Sequence, residues 1–175
     1  MIDPLIIGHL SFYQKVSLFE GLNEKQLKSI MEIMTLSEIK KGDLITREGE
    51  IGDSMFILIK GEVEISKSLF LPQMADQAVL QEKALIRLND KQYPFFGEMA
   101  LFIDQPERSA SIKAVKPCTL TVIQKKALLT LLERDHTIKS IIFMNIGVVL
   151  TKRLIKANKD ILKLTTAFSL ALQGE

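Results

Sequence analysis

The 175 residues hold a single cysteine, Cys118, so no internal disulfide forms and no zinc cluster can be assembled from thiolates; a reduced setting suits the chain. An excess of one charge is missing too. With 23 Lys and Arg against 21 Asp and Glu, the net charge of +2 is too even for nucleic-acid binding by the whole chain. Met1, Ile2, Asp3 and Pro4 lack the basic start and unbroken apolar stretch of a secretory signal. The longest apolar run, residues 141–150, contains Asn145 and Gly147 and falls short of the ~20 residues that a bilayer crossing needs. These absences lead to the expectation of a cytoplasmic protein with no membrane association. Chemistry is sparse as well. His9 and His136 stand apart from each other and from any acidic cluster, and Ser109 and Ser111 have no neighbouring His to activate them, so neither an enzyme nor a metal site is expected.

What remains is the composition of an ordinary globular protein, 47% hydrophobic and 25% charged, long enough for one domain and an appendage. Three regions are expected. Residues 1–35 are helical: Leu27, Ile30, Met31 and Met34 recur at helical spacing behind Asn23 and Gln26, which stand in the capping-box relation. Residues 36–124 form short strands, as in 43–47, 55–59 and 63–65, punctuated by Gly42, Gly49, Gly52 and Gly61 like a sandwich or small barrel. Residues 66–83 lose the strand pattern and read as a long, partly mobile connection or insertion. Residues 125–175 return to helix, from Lys125 to Glu133 and again from about Thr137. Met31, Met34, Met55 and Met99 are assigned to the core.

The informative stretch is 95–112. Gly97 permits a close turn, Glu98 offers an acceptor carboxylate, and Met99, Ala100, Leu101 and Phe102 can form one helical turn with outward N–H groups, a seat for an anion. Arg108 follows a polar turn, then the Ser109 hydroxyl and the small Ala110. A guanidinium beside backbone amides suits a phosphoryl group. A carboxylate beside the same seat would repel it, so Glu98 needs another partner, and a sugar hydroxyl is a natural donor. The pair points to a ribose phosphate; cyclised, it carries one negative charge, which one Arg balances without a metal.

These residues, with Lys41-Gly42-Asp43, Glu48-Gly49-Glu50-Ile51-Gly52-Asp53-Ser54 and Ile59-Lys60-Gly61-Glu62-Val63 upstream, resemble the cyclic-nucleotide-binding domain family over about residues 15 to 164. The motifs Phe96-Gly97-Glu98-Met99-Ala100-Leu101 and Arg108-Ser109-Ala110-Ser111 match its phosphate-binding cassette, with the spacing of the catabolite-activator type. The resemblance implies an α+β fold: an antiparallel β-barrel or jelly-roll (double-stranded β-helix) of about eight strands, with N-terminal helices and a long C-terminal helix. It implies that Glu98 binds the ribose 2′-hydroxyl, that Arg108 binds the exocyclic phosphate oxygens, and that amides around Met99, Ala100, Ser109 and Ala110 complete the cradle. The ligand would be cyclic AMP or cyclic GMP. Lys91-Gln92-Tyr93-Pro94 departs from the glycine and acidic residue that often precede the cassette, which bears on the entrance and not on the cradle.

Along the C-terminal helix, Phe143, Gly147, Leu150, Leu154, Ala157, Ile161, Leu164 and Phe168 recur in steps of four and three, the spacing of a coiled-coil seam. A helix lying on its own barrel needs a similar stripe. The resemblance favours a parallel homodimer through this helix, and sets Arg153 and Asn158 at positions that approach the base, one of them from the opposite subunit. Lys152, Arg153, Lys156, Lys159 and Lys163 gather here as well, which could suggest nucleic acid, and read as the solvated face of the helix. About ten residues follow Leu164, too few for a helix-turn-helix, so no DNA-binding domain is expected. The expected function is a sensor that binds a cyclic nucleotide and signals to an unknown downstream protein through its C-terminal helix; the alternative is a ligand-free scaffold of the same fold.

Overall fold

The computed structural model describes residues 2–71, 79–105 and 107–173. Three short helices open it, α1 (Pro4–Ile7), α2 (Leu10–Tyr13) and α3 (Glu24–Met31). The cap of α3 forms as its sequence dictates: Gln26 N–H donates to Asn23 Oδ1 at 2.9 Å, and Asn23 N–H donates to Gln26 Oε1 at 3.0 Å. Leu27, Ile30 and Met31 line its buried face. The helix ends there, short of Met34, which is the first residue of a strand. Met34 is buried while Thr35 is exposed, so the methionine that fits a helical period belongs to a two-residue alternation.

The strands are β1 (Met34–Ile39), β2 (Leu44–Thr46), β3 (Ser54–Lys60), β4 (Glu62–Leu71), β5 (Val79–Asn89), β6 (Phe95–Phe96), β7 (Ser111–Ala114) and β8 (Cys118–Gln124). They form two antiparallel four-stranded sheets, ordered β1-β8-β3-β6 and β2-β7-β4-β5, the expected jelly-roll. Strand β3 shows why it is central. Its run Met55 to Ile59 is buried on both faces: Phe56 and Leu58 enter the barrel with Val63, Ile112, Ala114, Cys118 and Leu120, while Met55, Ile57 and Ile59 meet the helices.

The stretch 66–83 departs from expectation. Residues on either side of its centre pair as a β4–β5 hairpin, from Ser66 opposite Ala84 to Leu71 opposite Val79. Strand β7 pairs with β4 only from Val63 to Ser66, so beyond that point the hairpin is a two-stranded ribbon. Lys67, Ser68, Glu82 and Lys83 lack an apolar face because, among the described residues, no third strand pairs with them. The centre of the expected connection, 72–78, lies outside the described residues.

Helices α4 (Lys125–Arg134) and α5 (His136–Gln173) complete the chain. Asp135 separates them and caps α5, its Oδ1 accepting from Thr137 N–H at 3.0 Å and Ile138 N–H at 2.9 Å. Ile138, Ile142 and Ile146 bury one face against the N-terminal helices. Asn145 Nδ2 donates to the carbonyls of Leu18 and Glu20 at 2.9 and 2.8 Å. From Thr151 to Leu172 every residue of α5 is exposed. The expected seam therefore leaves the barrel: Leu154 is 61% and Phe168 65% exposed. No described helix is long and apolar enough to cross a membrane.

Candidate ligand-binding site

Strand β6 delivers the chain into the site. Gly97 follows it at φ +80°, a left-handed conformation that glycine adopts without strain, and a 3₁₀ turn, Glu98–Leu101, begins. The turn starts one residue earlier than the sequence suggests and is tighter than an α-helical turn, with Ala100 N–H donating to Gly97 O at 3.2 Å. Met99 is no core residue: it is 47% exposed and lines the site, because the turn throws its side chain outward while Glu98, Ala100 and Leu101 turn in.

Arg108 arrives from the far side of a polar loop. Its backbone is fixed in both directions, N–H to Glu50 O at 2.8 Å and C=O from Gly49 N–H at 2.9 Å. Its guanidinium donates to Ser54 O at 2.7 Å and to Ser54 Oγ at 3.0 Å, and lies 5.5 Å above the Phe56 ring. Two glycines make room for it. A Cβ on Gly52 would fall 2.2 Å from Arg108 Nε, and one on Gly97 would fall 3.0 Å from Nη1. Burial draws the guanidinium below its ordinary value, with Asp53 opposing, and it remains a cation at neutral pH.

Glu98 is almost wholly buried, 1% exposed. Its Oε1 accepts from Arg153 Nη1 of α5 at 2.5 Å, and the same guanidinium donates from Nη2 to Phe95 O at 3.0 Å. Its other oxygen, Oε2, is buried without a hydrogen-bond partner among the described residues. An unpartnered buried acceptor costs free energy, about 1–3 kcal/mol and more when charged, which a ligand donor would recover.

Gly97, Glu98, Met99, Ala100, Arg108, Ser109, Ala110 and Arg153 line one cavity of about 320 Å³. Asn158 lies apart from it, exposed on α5 beyond Arg153. Arg153 sits against the carboxylate of the turn, where the resemblance set it beside the base. The Ser109 hydroxyl touches only Met99 Sδ, at 3.9 Å, and stays available. The far wall is supplied by residues that the contiguous motif did not reveal: Thr46, Ile65, Lys67, Leu85 and Ile112. Strand alternation places Ile65 and Lys67 on one face, a signal present in the sequence but without a direction. Among the described residues no group of three or more His, Cys, Asp or Glu is placed to hold a metal.

Comparison with known proteins identifies the family. Residues 36–135 match the family described as cyclic nucleotide-binding domain. A cGMP-dependent protein kinase of Plasmodium berghei is 30% identical over 123 residues, 70% of this chain and 13% of the kinase. Human cGMP-dependent protein kinase 2 is 36% identical over 104 residues, 59% of this chain and 12% of the kinase. The Thermus thermophilus catabolite activator protein superposes with a TM-score of 0.69 at 25% identity, covering 85% of this chain and 63% of that one. This chain thus spans a small part of the kinases' length.

Proposed function

The chain belongs to the cyclic nucleotide-binding domain family, and from that premise we propose that it is a non-catalytic cytoplasmic sensor of a 3′,5′-cyclic nucleotide that reports through α5. The observation that carries this reading is a buried carboxylate, one oxygen of which has no partner among the described residues, beside a half-buried guanidinium in one cavity. The cyclic phosphate seats against Arg108 and the amides of the Gly97 turn and of Ser109 and Ala110; its single charge is matched by that of Arg108. The ribose 2′-hydroxyl donates to Glu98 Oε2. Ligand and α5 then share one carboxylate, because Oε1 already holds Arg153. A ligand that draws on Glu98 and shifts its position changes the hold on α5, and shifts its population by the difference in affinity for the two arrangements.

The exposed seam of α5 supports a parallel homodimer, in which Asn158 of a second copy comes to face the base. Sequence relatives named for cyclic GMP and a structural relative of catabolite-activator type leave the base open on likeness alone. Titration calorimetry with cyclic AMP and cyclic GMP tests the reading. The wild-type chain is expected to bind at least one of them, and Arg108→Ala to weaken it tenfold or more, from the ~1.5–3 kcal/mol of a charged hydrogen bond. Absence of heat with both nucleotides would identify a scaffold that binds neither.

A further inference from the structure

Among the described residues, Lys67 is the cation of the cavity that the phosphate and ribose contacts leave without a role. It lines the cavity from β4, two residues beyond Ile65 on the same face, with Leu85 of the neighbouring β5 beside it. Within the chain it is paired, at long range, with one carboxylate. Nζ lies 3.6 Å from Glu48 Oε1, too far for a good hydrogen bond, and the other oxygen of Glu48 accepts from Ser68 N–H at 2.8 Å. That backbone bond, with Lys67 adding to it, holds the Glu48 carboxyl below its usual range, and Glu48 steadies the lysine across a long contact.

The phosphate does not require this second cation, since Arg108 balances one negative charge. The wall around Lys67 is apolar, made by Ile65, Leu85 and Ile112, and offers a flat purine its face. An ammonium group at the edge of such a slot can only donate hydrogen bonds. Guanine presents two adjacent acceptors, O6 and N7, and Lys or Arg on that edge is a favoured pairing; adenine presents N7 beside an amino group whose hydrogens oppose a cation. We therefore propose that Lys67 reads the base, and that the ligand is the guanine nucleotide, cyclic GMP. This rests on the reading of the cavity as a cyclic-nucleotide site.

Equilibrium titration of cyclic GMP, cyclic AMP and cyclic IMP against the full chain, and against Lys67→Met and Lys67→Arg, tests it. Cyclic IMP keeps O6 and N7 and lacks the guanine 2-amino group, so it isolates the edge in question. Cyclic GMP and cyclic IMP are both expected to bind more tightly than cyclic AMP, by about fivefold or more. Lys67→Met should abolish the difference by weakening the two oxo-purines more than cyclic AMP, and Lys67→Arg should restore it. Equal or tighter binding of cyclic AMP by the wild type, a preference that survives Lys67→Met, or cyclic IMP behaving like cyclic AMP would each overturn the assignment while leaving the sensor reading intact. Failure of all three nucleotides to bind would overturn both.

Discussion

The position of Arg108 is decided by atoms that are missing. Gly52 and Gly97 leave the volume that its guanidinium fills, and Ser54 supplies the two acceptors that aim it. Gly52→Ala should therefore weaken cyclic nucleotide binding about tenfold although residue 52 lines no part of the cavity, because the added methyl displaces a cation worth ~1.5–3 kcal/mol to the ligand. Calorimetry on the folded variant measures this, and unchanged affinity would show that the guanidinium is free to relocate. The cassette itself was legible in the sequence, since Gly97 to Ala100 and Arg108 to Ala110 are contiguous pieces of one motif. The supporting shell was not. Ser54 meets Arg108 across 54 positions, and nothing local in Gly-Asp-Ser states which side chain will fill the gap. Met99 was misplaced for a related reason: an apolar residue in a 3₁₀ turn points wherever the turn directs it, independent of hydropathy.

Elements with their own periodic signal formed where the sequence put them. The Asn23 and Gln26 cap, α4, the start of α5 and the doubly buried β3 all follow from local pattern. The β4–β5 ribbon did not, because strands paired only with each other carry no alternating apolar face to detect. The joint between α2 and β8 is of the same hidden kind. Tyr13 Oη and Thr121 Oγ1 lie 2.6 Å apart, both side chains fully buried. Burial raises the Tyr13 phenol above its ordinary value near 10, with the Thr121 bond opposing. The folded chain thus holds this proton more tightly than the unfolded one. Its contribution to stability is complete below about pH 10 and falls as pH rises through the folded value. Tyr13→Phe should lower stability at neutral pH by about 1–2 kcal/mol, since it strands the Thr121 hydroxyl. The gap to wild type should narrow above pH 10. Denaturant melts from pH 8 to 11 measure both, and a gap that widens with pH would contradict the sign.

At the scale of the whole molecule, the division within α5 matters most. Its first half is anchored by Ile138, Ile142, Ile146 and Asn145, while the residues from Thr151 to Leu172 are exposed, with Arg153 reaching back to Glu98. Helices without tertiary support are marginal in water, so this second half needs a partner surface. On the proposed pairing, Leu154→Lys with Ile161→Lys should convert the dimer to monomer in sedimentation velocity and speed amide exchange over 151–173, leaving the barrel protected. Persistence of the dimer would place its contact elsewhere. Arg153 stands just past the last anchored turn, so its grip on Glu98 is only as firm as the unsupported helix that carries it. On that pairing, dilution would fray the helix, free the carboxylate and alter how readily the cavity fills. The protein's answer to a fixed dose of messenger would then depend on how many copies of itself are present, a census that a single barrel cannot take alone.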